Sequence, residues 1–478
     1  MQNKREAFIV GGLGYGDEGK GTMVDYLARV KKVSLIVRYN GGAQAGHNVI
    51  TPEGQHHVFS QFGSGTFVPN TKTFLSRFMV VNPLAMMREG AHLQALGIND
   101  AFERMIIDDR ALITTPFQIV VNRILETRRG SNKHGSCGIG VGQTIQDYAQ
   151  YGDKVLFAGD LLNINVVRKK LAFIKEKSWN VIFNKIGDLL QIELYRNGWG
   201  WFQGEDRIEK LAEELFAFAS LVKIVNQDHF IELVDENPVI IFEGAQGILL
   251  DKNYGFAPHI TKTNITLDNA YTLLKEADYS GLIANLGIIR AFMTRHGAGP
   301  LVTEDIGLNN FLSDFYNIDN EWQNKLRFGW FDLLAVNYGL LINDKIDRVA
   351  LTNLDQLSRL DKIKVCVSYE YEGDLNCLDL YFLWEKIGKN KAKILGFRKS
   401  DAELIGGGEL AETLFKCKPL DFVEFIGWQK DISAIKSFND LPKEAKIYIG
   451  FLEKMIGVPI RIISVGPTYQ GKFYRPQK

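Results

Sequence analysis

Three glycine-rich stretches hold side chains whose type and spacing suit phosphate chemistry. In the first, residues 11–21, the pattern Gly14-x4-Gly19-Lys20 lies between an apolar run and a helix-forming run. Backbone N–H groups and a lysine in that order cradle phosphate. Gly21 stands where a magnesium-binding hydroxyl would follow the lysine, and two acids, Asp17 and Glu18, sit where phosphates would lie. A carboxylate beside a polyphosphate repels it unless it binds the metal or takes a proton. Asp17 is therefore read as metal ligand, base or both, with Lys20 and the loop amides on phosphate. A tight turn without a ligand is the alternative; the lysine and the out-of-place acid argue against it.

The second stretch, residues 41–47, ends its glycines at His47. A histidine there suits charge on a transferring phosphoryl group, although alone it reads better as a cap or packed residue. In the third, residues 243–247, Gln246 offers both a donor and an acceptor, as an amide-like or purine edge requires. Thr261, Thr263 and Thr266 follow, spaced so that several hydroxyls can meet a phosphate. Asp355 closes the run 351–355, where a carboxylate can accept two N–H bonds from a guanine edge or cap a helix. Ser464 and Gly466 end the last apolar run, either letting backbone approach a flat ring or making an ordinary turn.

The elements that must position these residues follow from the apolar pattern. Short apolar strands are expected at 7–10, 33–39, 239–242, 281–286, 348–351 and 461–464, each followed at once by Gly, Asn, Asp or Thr. Helices are expected at 22–29, 206–224 and 331–341. Buried strands with polar residues at their C-terminal ends describe an α/β protein with its site along that sheet edge. The expected architecture is one large α/β domain, 1–478, around a central, mainly parallel sheet. Helical and loop insertions, irregular near 123–160 and 304–330, are candidates for mobile loops.

Composition narrows the classes. Of 478 residues, 46% are apolar and 23% charged, which excludes a chain disordered over most of its length. Lys+Arg equals Asp+Glu at 56 each, so nucleic acid is not the expected partner. Cys137, Cys366, Cys377 and Cys417 form no CxxC pair, which leaves zinc and thioredoxin-like readings without support and suits a reducing cytoplasm. No signal-peptide core and no apolar run of about 18 residues is found, so no membrane span is expected.

In this order, GDEGKG at 16–21, VRYNGG and AGH within 37–47, GIG at 138–140, FEGAQGILLD at 242–251, TRHGAGPLVTE at 294–304, GWFD at 329–332, LTNLD at 351–355 and ISVGP at 463–467 resemble the adenylosuccinate synthetase family. The resemblance implies that family's P-loop-NTPase-like fold, a homodimer and Mg2+. It also implies a GTP-dependent ligase that joins IMP and L-aspartate through a 6-phosphoryl intermediate, giving GDP, phosphate and adenylosuccinate. On the matching positions, Asp17 would take the ring-nitrogen proton and help hold magnesium, and His47 would contact the moving phosphate. Gly19, Lys20 and Gly46 would meet GTP phosphates, Gly46 also the metal. Gln44 and Gln246 would bind the acceptor base and Thr261 its phosphate, while Asp355, Ser464 and Gly466 would bind guanine.

Departures from the family pattern fall mostly on the parts that hold the amine donor and the acceptor's phosphate. The family's arginine-rich loop before GWFD reads Glu321 to Phe328, with Asn324 and Leu326 in place of two arginines. A dicarboxylate without bidentate arginine loses strong charge-assisted bonds, and Glu321 would repel it. Lys325 or Arg327 is the expected substitute. A basic stretch after GIG is replaced by residues including Ala149 and Gln150, and the stretch before GIG reads HGSC at 134–137, leaving His134 or Lys154 to serve instead. Gln44 replaces an asparagine and Asn353 a lysine that packs on guanine. Two alternatives follow: a paralogue joining another amine to a purine or related carbonyl acceptor, and a GTP-binding protein without activity.

Overall fold

Alternate residues of the first apolar strand serve two cores. Phe8 and Val10 pack with Met23, Val24 and Leu27 on one face, while Ala7 and Ile9 pack with Val37 and Phe242 on the other. A strand covered on both faces belongs inside a sheet, and that is where Glu6–Gly12 lies. In the computed structural model, residues 5–130, 134–186, 198, 200–202, 204, 206–313, 325–376, 378–399 and 408–476 are described. Among them a ten-stranded sheet runs, in spatial order, Lys472–Tyr474, Ile460–Ser464, Arg348–Thr352, Leu282–Arg290, Glu6–Gly12, Val239–Gly247, Leu35–Arg38, Lys72–Leu75, Met105–Asp108 and Lys223–Val225. Every neighbouring pair is parallel except Ile460–Ser464 with Lys472–Tyr474. The protein is thus a large α/β fold with a mainly parallel central sheet, as the apolar runs imply. No helix among the described residues is long and apolar enough to cross a membrane.

One expectation is corrected, and two irregular stretches gain detail. The helix expected at 206–224 stops at Ala219, and Lys223–Val225 joins the sheet edge instead. Its β-branched pair, Ile224 and Val225, suits a strand and pairs with Ile107 and Asp108. The 123–160 stretch is largely helical. Pro116–Arg128 enters it from a Thr115/Gln118 capping box, and Val141–Tyr151 follows, burying Val141, Thr144 and Asp147. In 304–330, a short helical turn at Ile306–Asn310 precedes Leu326–Gly329, which pairs antiparallel with Met293–His296. Glu321 and Asn324 lie outside the described residues.

A second sheet covers residues the apolar pattern did not delimit. Lys362–Glu372 pairs antiparallel with Cys417–Ile426 and with Lys391–Phe397, which pairs with Phe382–Gly388. Ion pairs such as Lys393–Asp421 and Lys418–Glu370 join its strands.

Candidate active site

The loop after Glu6–Gly12 is packed around one of its own acids. Glu18 Oε1 accepts from the Gly14 and Gly16 N–H groups at 2.9 and 2.7 Å, and its Oε2 lies 2.8 Å from Lys20 Nζ. Lys20 also donates to the Gly16 carbonyl at 2.8 Å and is 1% exposed. Of the two acids in the loop, Glu18 is therefore scaffold, and the Lys20 charge expected to meet phosphate is balanced from within. Asp17, half-buried, is the acid left at the loop surface; its carbonyl accepts from Arg290 Nη1 at 3.1 Å. The strand end at Gly247 passes beneath, so close that a Cβ there would stand 2.2 Å from the Gly14 carbonyl oxygen.

Gly21 has its own physical cause. It opens the Lys20–Lys31 helix against His47, and a Cβ on it would meet His47 Cβ at 2.6 Å. The hydroxyl residue of an ordinary P-loop has no room here.

His47 begins the short His47–Ile50 strand and is buried. Its Nδ1 lies 2.5 Å from Glu243 Oε1. Glu243 Oε2 accepts from the Ser64 N–H at 2.9 Å, and the Ser64 hydroxyl donates to Oε1. Arg38 lies in register with Glu243 on the adjoining strand and is fully buried, donating to the Phe62 carbonyl at 3.1 Å. Burial works to raise the Glu243 carboxyl, but Arg38, His47 and Ser64 outweigh it and hold it at about 2. Burial pushes the His47 imidazole down to about 4, against the pull of Glu243. The pair is thus a carboxylate facing a neutral imidazole whose Nδ1–H donates to it. That leaves a lone pair on Nε2, which has no hydrogen-bond partner among the described residues.

Other polar atoms share that condition. Gln246, held at φ 55°, has neither end of its amide satisfied, and the buried Gln44 Oε1 is also without a partner among the described residues. Gln246 lies against Gly41, and Gln44 against Gly42. Asn40 fastens the two loops, accepting from the Ala245 N–H at 2.7 Å and donating to the Asn264 carbonyl at 3.2 Å. A buried polar atom left unpaired costs about 1–3 kcal/mol. Several gathered at the end of one sheet mark a place completed by a ligand or by water. Thr261 and Thr263 pair through their hydroxyls at 3.1 Å on a loop clamped by Asp251, which accepts from the Asn253, Tyr254 and Ile265 N–H groups.

Asp355 and the Ser464–Gly466 turn lie at the neighbouring strand ends. Thr352 Oγ1 donates to the Glu18 carbonyl at 2.6 Å, and Thr22 Oγ1 donates to the Pro467 carbonyl at 2.8 Å, tying both to the first glycine loop. Burial raises the Asp355 carboxyl, against hydrogen bonds from its own N–H and from Gln356 and, after them, the charges of Lys472 and Arg290. Ser464 Oγ donates to the Gly466 carbonyl at 3.2 Å.

The two candidate donor-binding cations differ. Arg327 is engaged, with Nη1 2.7 Å from Glu304 Oε2 and Nη2 donating to the Gly299 carbonyl at 2.7 Å. Lys325 is exposed. His134, Lys154, Ala149 and Gln150 are exposed as well, and the N–H groups of Gly135 and Ser136 are taken by the buried Glu126 carboxylate.

Among the described residues no cluster of three His, Cys, Asp or Glu is present to hold a metal. The oxygens of the Asp17 carboxylate and the Gly46 carbonyl are hard donors, and magnesium, which keeps several waters, suits so small a set. Sequence reasoning passed over Arg38, Ser64 and Glu243. A charge inside an apolar strand was the available signal for Arg38; Ser64 carries none.

The chain matches a family model described as adenylosuccinate synthetase over residues 9–472. It is 31% identical over 476 residues to the adenylosuccinate synthetase of Dehalococcoides mccartyi, covering 98% of this chain and 99% of that one. Identity to the Borrelia recurrentis adenylosuccinate synthetase is 29%, covering 98% of each chain. Its fold is similar to that of fully ligated adenylosuccinate synthetase from Plasmodium falciparum, with a TM-score of 0.75 at 22% identity, covering 98% of this chain and 99% of that one. It is also similar, with a TM-score of 0.57 at 11% identity and covering 99% and 96%, to a cyanophage S-2L succinoaminodeoxyadenylate synthetase bound to dGMP and dATP.

Proposed function

The chain belongs to the adenylosuccinate synthetase family, GTP-dependent ligases of purine metabolism, and from that premise we propose that it joins IMP to L-aspartate at the expense of GTP. The observation that carries this reading is the set of unpaired buried polar atoms on Gln44, His47 and Gln246, gathered where a purine and a phosphoryl group would meet.

In this reading the chain's residues act as follows. Gln246 and Gln44 hold the acceptor base. Asp17 takes the proton from its ring nitrogen, which turns the 6-oxygen into a nucleophile toward the γ-phosphorus. Phosphorylated, that oxygen becomes a leaving group that an amine can displace as phosphate. His47, oriented by Glu243, aims Nε2 at the moving phosphoryl group. An imidazole that is neutral in the unliganded protein must take a proton there to donate, and the negative charge of the polyphosphate favours that uptake. Gly19, Lys20 and Gly46 frame the GTP phosphates, and Asp355, Ser464 and Gly466 receive guanine. Thr261 receives the acceptor's phosphate. Asp17 and the Gly46 carbonyl would hold magnesium, which would supply neutralising charge to the phosphates. A cytoplasmic homodimer is part of the same proposal.

A second reading rests on one contact. Because Arg327 is already paired with Glu304, the donor site has less positive charge to offer a dicarboxylate, which favours a paralogue that joins a different amine. The deciding measurement is phosphate release from GTP and magnesium with IMP, with and without L-aspartate, with adenylosuccinate sought by mass. Aspartate-dependent adenylosuccinate supports the first reading. Phosphate release only with another amine sinks it in favour of the second.

A further inference from the structure

Two consecutive carbonyls of the first glycine loop are held by the ends of two neighbouring strands. Arg290 ends Leu282–Arg290 and Thr352 ends Arg348–Thr352, and the two stand opposite each other in the parallel register. Arg290 Nη1 donates to the Asp17 carbonyl at 3.1 Å, and Thr352 Oγ1 donates to the Glu18 carbonyl at 2.6 Å. Both residues are buried, at 6% and 1% exposed. The next carbonyl, that of Gly19, accepts from the Met23 N–H at 3.2 Å and so belongs to the Lys20–Lys31 helix.

In a trans peptide the C=O of one residue and the N–H of the next point in opposite directions. Holding the Asp17 and Glu18 carbonyls toward the strand ends therefore turns the Glu18 and Gly19 N–H groups away from them. Neither N–H has an acceptor among the described residues. Gly19, at φ 88°, supplies the left-handed backbone that this path requires. Two residues on, Gly21 packs against His47, whose buried Nε2 also lacks a partner among the described residues. Successive backbone N–H groups that face one way form an anion-binding concavity. A flipped peptide would present a carbonyl oxygen instead, so the direction of each peptide decides between attracting and repelling a phosphate.

We propose that Arg290 and Thr352 are positioning residues of the phosphate subsite: by holding two consecutive carbonyls, they aim the Glu18 and Gly19 N–H groups at the nucleotide's phosphates. The inference rests on reading the first glycine loop as the seat of those phosphates.

The test compares GDP with guanosine, which keeps base and ribose but has no phosphate, by displacement of a fluorescent GDP analogue in the presence of magnesium. The ratio of the two affinities measures what the phosphates contribute. Thr352→Val keeps the side chain's shape and alters no charge, but it takes the donor from the Glu18 carbonyl. T352V is expected to lower the ratio roughly tenfold through weaker GDP, with guanosine within about twofold of wild type. T352S, which keeps the hydroxyl, is expected to restore the ratio, and R290M is expected to lower it. An unchanged ratio in T352V or in R290M overturns the inference. So does an equal loss of GDP and guanosine, which marks the two residues as staples of the fold alone, or a ratio that T352S does not recover. Wild type that binds guanosine as tightly as GDP refutes the phosphate reading of the loop beneath it. If T352V melts below the assay temperature, R290M carries the comparison alone, with R290K expected to restore the ratio and a ratio unchanged in R290M overturning the inference.

Discussion

Glu243→Gln removes charge from the carboxylate behind His47 while keeping its size, and the surrounding donors fix how the new amide sits. The glutamine oxygen must face the Ser64 N–H, which now reaches Oε2 at 2.9 Å. Its NH2 then faces His47 Nδ1, which lies 2.5 Å from the other oxygen. A donor meeting a donor moves the proton to Nε2 or turns the ring out of line, and without a carboxylate behind Nδ1 the ring loses the support for the positive charge that strengthens its bond to the phosphoryl group. A hydrogen bond to a charged group is worth about 1.5–3 kcal/mol. At about 1.4 kcal/mol per decade, kcat should fall roughly ten- to a hundredfold if His47 acts on the moving phosphoryl group. Arg38 complicates the experiment, since it is left buried without its counter-charge, a change costing about 3–5 kcal/mol. The double variant R38M/E243Q removes both members of the pair and should recover stability without recovering kcat. Melting curves and phosphate release at saturating GTP, IMP and aspartate give both quantities. Folded E243Q with kcat within threefold of wild type would refute the role given to Glu243. Recovery of kcat in step with stability in the double variant would refute it too.

Further outcomes are expected. Gly21→Ala should lower kcat by at least tenfold, because its Cβ would stand 2.6 Å from His47 Cβ and one must move; a variant as active as wild type contradicts that packing. Stability should fall as pH drops from about 6.5 toward 4. His47 stays neutral in the folded protein while its unfolded counterpart takes a proton, and below about 4.5 Glu243 adds a loss of the same sign. Urea melts at pH 7.5, 5.5 and 4.5 check this, and a midpoint that rises on acidification is the contrary result. If aspartate is the amine donor, K325M should raise its KM about tenfold and R327M less, since Arg327 is already held by Glu304; the reverse order would place the donor against Arg327. Chelation by EDTA should abolish phosphate release, and added magnesium should restore it.

Much of the candidate site was legible because its residues are of the wrong type for where they stand. Asp17 in a phosphate loop, His47 after glycines and Gln246 at a strand end each invite a chemical explanation from sequence alone. Their supports were not legible. Ser64 lies 179 residues from Glu243, and His47 lies 196 from it, so neither bond has a local signature. Glu18 looked like a second acid for the ligand because spacing does not reveal that a carboxylate folds back onto Gly14 and Gly16. The fold class followed from apolar runs buried on both faces. The Lys362–Glu372 strand alternates polar with apolar residues, the period-two sign of a half-buried strand, and was passed over because continuous apolar runs mark only strands buried on both faces.

The order of strands across the central sheet differs from their order of synthesis. Glu6–Gly12, made first, is flanked by Val239–Gly247 and Leu282–Arg290. At roughly 5–20 residues per second, its first neighbour emerges on the order of 10–50 s later. Through that interval both edges of an apolar strand stand unpaired, the condition under which nascent chains stick to one another. The first glycine loop waits longer still, since Thr22 is fastened to Pro467, 445 residues onward. Nucleotide should therefore be absent from ribosome-bound intermediates, and yield during expression should depend on translation speed and on chaperones that shield strand edges.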